Sequence, residues 1–394
     1  MVKRIFGIAF YVFACVVLNA QVKFLDQPVW KDVLAKAGAE HKFIFVDGYT
    51  TWCHWCKIMD KTTFKNAVVG DYMNKNFVCA KMDMERGFGC NLTMKFGVMS
   101  FPTYIVLSSE GKYVDCLYGF FDSVKIVKEL TRLKTMPEAE YPTGISTQID
   151  LPFPDFYRKR FVIDSSGHRY YPDSATNAAY LAGQKDLMNE VTWNVLRLSG
   201  AALKPYAGWI LANEKQITRL FGRWEAATML EYAVNFKFLE VSARGDEAAF
   251  QNEILPLIER YMSDSKALDK PFFKMRFYHA QKNYEKYLLA IKEFNELVKA
   301  GEGNPDLINM SCWDLCQECD DERILREAAA IMKEFTATRK DWSVVTYASL
   351  LYKLKDYKQV EAVCNKAIEL GLPDKDDVAS LKKLLDKVNA AKGH

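Results

Sequence analysis

Between residues 29 and 135 the apolar positions change period several times, and the changes predict alternating helices and strands. Trp30 to Glu40 is amphipathic at helical spacing, Phe43 to Val46 is a short continuous apolar run, and Ile58 to Met73 returns to helical spacing. Phe77 to Met82 reads as a strand, Leu92 to Phe96 as a short helix, and Tyr104 to Leu107 as a further strand. The turn at Glu110-Gly111-Lys112 leads into a returning strand, Tyr113 to Tyr118, and Ser123 to Leu133 closes with a helix. The order α-β-α-β-α-β-β-α implies a mixed sheet with helices on both faces.

The pattern then changes. Pro137, Pro142, Pro152 and Pro154 interrupt all periodicity between 136 and 156, which reads as a linker or a wrapping segment. Beyond residue 157 strand signals fade and helical spacing dominates, with turns expected at Gly167, at Lys204-Pro205 and near Pro271. A weak repeat marks the last third. Thr346 to Pro373 carries Ala348, Leu351, Tyr352, Asp356-Tyr357, Ala362 and Ala367-Ile368; Tyr278, Asn283-Tyr284 and Ala290-Ile291 echo it about two repeat lengths earlier. This spacing resembles tetratricopeptide repeats. The expected organisation is therefore a leader over 1–20, an α/β domain over 21–135, a linker over 136–156, a helical domain over 157–270, and tetratricopeptide-like repeats over 271–394 with Lys375 to Lys392 as the capping helix.

The leader is read from its own pattern. Lys3 and Arg4 precede an apolar stretch from Ile5 to Leu18, and Ala20 supplies a small residue for cleavage. That stretch is shorter than the roughly 20 residues a membrane span needs, so export is expected rather than anchoring. Cys15 is a poor lipid-attachment site, because Phe13 is bulky and apolar residues continue past it. A periplasmic or secreted location follows. The formal net charge is +3, and Lys3 and Arg4 supply two of those positive charges, so nothing points to nucleic acid or an anionic membrane. Nine of the ten cysteines lie beyond residue 20, too few for a disulfide-stapled scaffold, so the fold rests on ordinary apolar cores.

Two of those cysteines carry the chemistry. In Thr50-Thr51-Trp52-Cys53-His54-Trp55-Cys56-Lys57 the thiols stand three residues apart, just after an apolar strand. They form either a dithiol or a disulfide. A helix beginning near Cys53 places that sulfur where unpaired amides and the macrodipole favour a thiolate, making Cys53 the candidate nucleophile. Zinc would need two further ligands at compatible spacing, and no second C-x-x-C lies in this region. No metal or other cofactor is expected.

Further elements give the pair a context. Asp47 lies six residues before Cys53, Ala80-Lys81 sits on the next strand, and Lys95 to Thr103 contains Ser100-Phe101-Pro102-Thr103. Together these make residues 22–135 resemble a thioredoxin-fold domain, and the His54-Trp55 interior resembles exported bacterial thioredoxin-like proteins. The resemblance implies a thiol–disulfide oxidoreductase in which Cys53, the more exposed sulfur, attacks a substrate disulfide and Cys56 resolves the mixed disulfide. It implies a buried Asp47 of raised pKa, paired with Lys81, that takes the proton from Cys56. It implies a cis bond at Pro102 and a free backbone edge at Ser100 and Phe101, beside Thr103, for an extended substrate. The partners it implies are proteins with disulfides or thiols and a membrane electron donor or acceptor.

The local environment leaves the direction of electron flow open. Protonated His54 would favour the thiolate and an oxidising couple, whereas Trp55 would reduce its solvation; Trp52 and Lys57 flank the pair. A second reading makes the helical repeats the functional part, as a protein-binding scaffold, with the α/β domain as its platform. Among the remaining cysteines, Cys79 and Cys116 read as buried strand residues and Cys90 as preceding a short helix. Cys312, Cys316 and Cys319 share a helical face and read as packing.

Overall fold

The computed structural model describes residues 21–163, 166–262, 266–337, 339 and 341–392. The expected leader, 1–20, lies outside them. The described residues fall into two compact units that divide between Ala233 and Val234.

The first unit is built on a five-stranded mixed sheet. Its strands are β1 (Phe24–Asp26), β2 (Phe43–Tyr49), β3 (Phe77–Asp83), β4 (Thr103–Leu107) and β5 (Tyr113–Tyr118), in the spatial order β1-β3-β2-β4-β5. β1, β3 and β2 run parallel, whereas β4 and β5 are antiparallel additions joined through the turn at Gly111. The leading strand β1 was not expected. With only three residues on a sheet edge, it carries too little alternation to read.

Both faces of the sheet are covered, because alternate residues of every central strand are apolar. One face packs Phe45, Cys79, Tyr104 and Val106 under α2 (His54–Lys61), α3 (Ala67–Asn76) and α5 (Ser123–Thr135), through Met59, Val69, Met73, Ile126 and Leu130. Phe45 is central, with the rings of Phe64, Phe77 and Tyr104 at 6.2, 6.4 and 5.3 Å. Burying each such side chain contributes roughly 1.5–3 kcal/mol. The opposite face packs Ile44, Val46, Val78 and Ala80 under α1 (Trp30–Glu40) and α4 (Phe88–Phe96).

The single helix expected over Ile58 to Met73 is broken. α2 stops at Lys61, a 3-10 turn covers Thr63–Lys65, and α3 restarts after Asn66, whose side chain accepts the amides of Val68 and Val69. An asparagine that caps so well competes with helix continuation. α4 begins four residues earlier than expected, so Cys90 lies within it rather than ahead of it.

The proline-rich stretch wraps the first unit. Tyr141, Leu151 and Phe153 are buried, and Gly144 N–H donates to Leu220 O at 2.7 Å. Lys95 of α4, with no side-chain exposure, makes a short ion pair with Glu190 of the helix Glu190–Arg197. Ser146 completes that contact, accepting from Lys95 Nζ at 3.0 Å and donating its amide to Glu190 at 3.1 Å.

The second unit is all helix. After the end of Arg223–Arg244 and the helical segments Glu247–Ala249, Phe250–Ile254 and Leu255–Tyr261 come three pairs: Lys266–Ala280 with Tyr284–Lys299, Asp306–Glu318 with Glu322–Phe335, and Ser343–Lys353 with Tyr357–Leu370; Lys375–Lys392 follows. The second helix of each pair is capped by an Asx side chain, from Asn283, Asp321 or Asp356. Lys282 and Lys355, which precede two of these caps, both adopt left-handed backbone with φ of 54° and 60°. Lys-Asx-Tyr thus encodes the same turn twice. Pro271 does not mark a turn; it lies inside Lys266–Ala280, where buried Phe273, Met275 and Phe277 hold the helix together. Cys312 and Cys316 share a buried helical face, but the helix ends at Glu318 and Cys319 is its extended C-cap, also buried. Burial pushes the Cys312 thiol up to about 12 and those of Cys316 and Cys364 to about 11, so they are inert packing residues.

Candidate redox site

Cys53 and Cys56 form a disulfide at the head of α2. Cys53 is the N-cap, in extended backbone, and its Sγ accepts the amide of Cys56 at 3.0 Å. A side chain at this position faces the unpaired amides of the first turn, which favour a thiolate once the bond is reduced. Contrary to expectation, Cys53 is not the more exposed of the two. Each retains 3% of its surface, because Sγ folds back over the helix end instead of projecting from it.

The surroundings are apolar and exposed. Trp52 and Trp55 stand open to solvent, Trp52 edge-on to Phe101 at 5.9 Å and Trp55 against Phe120 at 5.7 Å. His54 and Lys57 are also exposed, and the His54 ring lies 5.9 Å from that of Trp55. Trp52 is further fixed by its indole N–H, which donates to Glu85 at 3.0 Å, and Glu85 in turn makes a short ion pair with Arg169.

Asp47 is buried on the sheet. It follows Phe45 by two residues on β2, and it pairs in register with Tyr104 on β4 and Lys81 on β3. Its side chain therefore points to the sheet face that α2 covers through Met59. Asp47 is 2% exposed, and Lys81 Nζ lies 2.8 Å from its Oδ2. Burial raises its pKa and outweighs the opposing effect of Lys81, leaving it at about 6. The same ammonium makes a short contact with Asp60, one helical turn after Cys56. Burial opposes the charge on Lys81, but Asp47 and Asp60 together raise its pKa.

The peptide bond between Phe101 and Pro102 is cis, and Gly119 N–H donates to Pro102 O at 2.9 Å. Ser100 is exposed and Phe101 half-buried. Thr103 departs from its expected place on the substrate edge. It is fully buried, and its hydroxyl donates to Ser100 O at 2.6 Å, so it shapes the loop from beneath.

Asp60, Glu85 and Phe120 were not singled out from the sequence. Asp60 had a signal, since Cys56 and Asp60 stand at i and i+4 on one helix face. Glu85 and Phe120 had none, because each reaches the site from a turn after a strand. Among the described residues no group of three or more His, Cys, Asp or Glu side chains could hold a metal ion, and no helix is long and apolar enough to cross a membrane.

Residues 17–91 match the Thioredox_DsbH family, described as a protein of unknown function, DUF255. The N-terminal domain is thioredoxin-like. The chain is 41% identical over 59 residues to mouse spermatogenesis-associated protein 20, covering 15% of this chain and 7% of that protein. It is 32% identical over 95 residues to the thiol:disulfide interchange protein DsbD of Pseudoalteromonas atlantica, covering 24% of this chain and 16% of that one. A solved structure, a candidate disulphide-isomerase from Bacteroides thetaiotaomicron, is 37% identical, with 30% of this chain and 96% of that one covered and a TM-score of 0.28. The chain spans less than a tenth of the mouse relative and about a sixth of DsbD.

Proposed function

We propose that the protein is an exported thiol–disulfide oxidoreductase of the bacterial thioredoxin-like kind, acting on protein disulfides, with its tetratricopeptide-like helices binding substrate or a partner. The observation that carries this reading is the Cys53–Cys56 disulfide at the head of α2, with the Cys53 sulfur on the Cys56 amide. Similarity to DsbD, named for thiol:disulfide interchange, supports it.

In the reductive direction the Cys53 thiolate attacks one sulfur of a substrate disulfide, forming a mixed disulfide and releasing the other substrate sulfur as a thiolate. Cys56 then attacks Cys53 Sγ. Asp47, held near neutrality by burial, accepts the Cys56 proton as this bond forms. Two electrons pass from the dithiol to the substrate, which leaves as a dithiol, and the Cys53–Cys56 disulfide is restored. The reverse sequence oxidises a substrate dithiol. Either cycle requires a second redox partner, a thiol protein or a membrane electron carrier, to reset the pair.

Reduction of insulin disulfides by the purified chain in the presence of dithiothreitol tests the reading. Acceleration that falls to the uncatalysed background in Cys53→Ser supports it. Equal rates for the two proteins would remove the redox function and leave the helical unit as a binding scaffold.

A further inference from the structure

A cleft of about 370 Å³ opens beside the cis-proline loop. One wall is Met99 and Ser100, from the thioredoxin-like domain; the other is Trp224 and Tyr232, from the first turns of the helix Arg223–Arg244. Trp224, Thr228 and Tyr232 stand at i, i+4 and i+8, so they line one helical face. Met99, Trp224 and Tyr232 are 46%, 52% and 47% exposed, an unusual concentration of large apolar side chains in solvent. The Trp224 ring meets Tyr118 edge-on at 6.2 Å, which anchors the second wall to the sheet.

The cleft shares the cis-proline loop with the surroundings of the disulfide. Trp52, the neighbour of Cys53, packs on Phe101, and Phe101 is two residues from Met99. At about 3.3 Å per residue of extended chain, two to four residues beyond a cysteine bonded to Cys53 span roughly 7–13 Å. The floor is polar at one point. Arg197 lines the cleft with its guanidinium largely buried, and its Nη1 is held by Glu225 at 2.8 Å. Gly97 leaves room for the guanidinium, since a Cβ there would fall 1.7 Å from Nη2.

We propose that this cleft is a specificity pocket for unfolded protein substrates, taking one aromatic or bulky aliphatic side chain that lies two to four residues from the reacting cysteine. The inference rests on the exchange reading above and adds the class of substrate that exchange selects. The pocket combines a wall of the thioredoxin-like domain with one supplied from beyond it, so it belongs to this longer chain.

The test uses the full-length protein, reduced beforehand, and disulfide-linked homodimers of a Gly/Ser peptide with a single cysteine. One set carries Trp three residues before the cysteine, a second carries Trp three residues after it, and a third carries Gly at both places. At least one Trp peptide should react about tenfold faster than the Gly peptide, in the range a single apolar contact supplies. The ratio should approach one in Trp224→Ser and in Tyr232→Ser, and stay at the wild-type value in Val124→Ser, an exposed residue of α5. Equal rates for all three peptides, or a preference that survives both cleft substitutions, would overturn the pocket while leaving exchange intact. Absence of exchange with every peptide, or exchange that persists in Cys53→Ser, would instead overturn the redox reading.

Discussion

Lys81 Nζ lies 2.8 Å from the Asp47 carboxylate, yet burial keeps that carboxyl's pKa raised at about 6. The ion pair therefore does not make Asp47 a stabilising charge. In the unfolded chain Asp47 would titrate near 3.8, so below that pH both states hold the proton and there is no penalty. Between about 4 and 6 the unfolded chain loses its proton first, and stability falls as pH rises; above 6 the loss is complete, roughly 3 kcal/mol. Asp47→Asn is expected to raise stability by about 1–3 kcal/mol at pH 8 and to change it little at pH 4. Lys81 keeps Asp60 as its partner in that variant. Urea unfolding midpoints at the two pH values check this; a loss of stability at pH 8 would contradict it.

The same carboxyl should leave a kinetic mark. With a substrate pre-bound to Cys53 as a mixed disulfide, release by Cys56 should accelerate with pH through an inflection near 6. In Asp47→Asn the inflection should vanish and the rate at pH 7 should fall. Rapid-quench measurement of the released thiol gives both profiles, and identical profiles would remove Asp47 from the proton transfer.

Lys95 and Glu190 bind the thioredoxin-like domain to the helix Glu190–Arg197. The ammonium has no side-chain exposure, and its burial lowers its pKa against the pull of Glu190. Glu190→Gln leaves that charge without its counterion and should cost about 3 kcal/mol. Lys95→Met combined with Glu190→Met should recover most of the loss. Denaturant titration of the three proteins decides the point; a mild effect of Glu190→Gln would contradict the buried-pair account.

Thiol reactivity should separate the cysteines sharply. After reduction, brief maleimide treatment of the native protein should label Cys53 first, because its place at the helix start favours the thiolate, and half-buried Cys90 slowly. Cys79, Cys116, Cys312, Cys316, Cys319 and Cys364 are buried and should label only after denaturation. Peptide mass mapping reads the order. Fast native labelling of the Cys312 to Cys319 group would contradict their role in packing.

Much of the site was legible because its signals are local. A strand, a C-x-x-C at a helix start and a Phe-Pro-Thr segment can each be read from neighbouring residues. Asp47 and Lys81 were legible only through resemblance, since their proximity depends on β2 pairing with β3. The three-residue β1 was too short for its period to show. The interruption between α2 and α3 depended on Asn66, whose capping role competes with an apolar pattern that continues across it. The resemblance implied a more exposed Cys53, but its sulfur is turned inward over the helix end. The cleft at Met99, Trp224 and Tyr232 had no local signature, because its two walls are more than a hundred residues apart in sequence.

The most direct test of the central claim is covalent capture with Cys56→Ser. Without its resolving sulfur, reduced Cys53 should hold an oxidised protein substrate as a stable mixed disulfide, seen as a mass addition that maps to Cys53 and disappears on reduction. That result is expected with insulin bearing its intact disulfides and with oxidised, unfolded host proteins alike. An unmodified Cys53 after incubation with oxidised substrates, or adducts mapping only to other cysteines, would contradict the account.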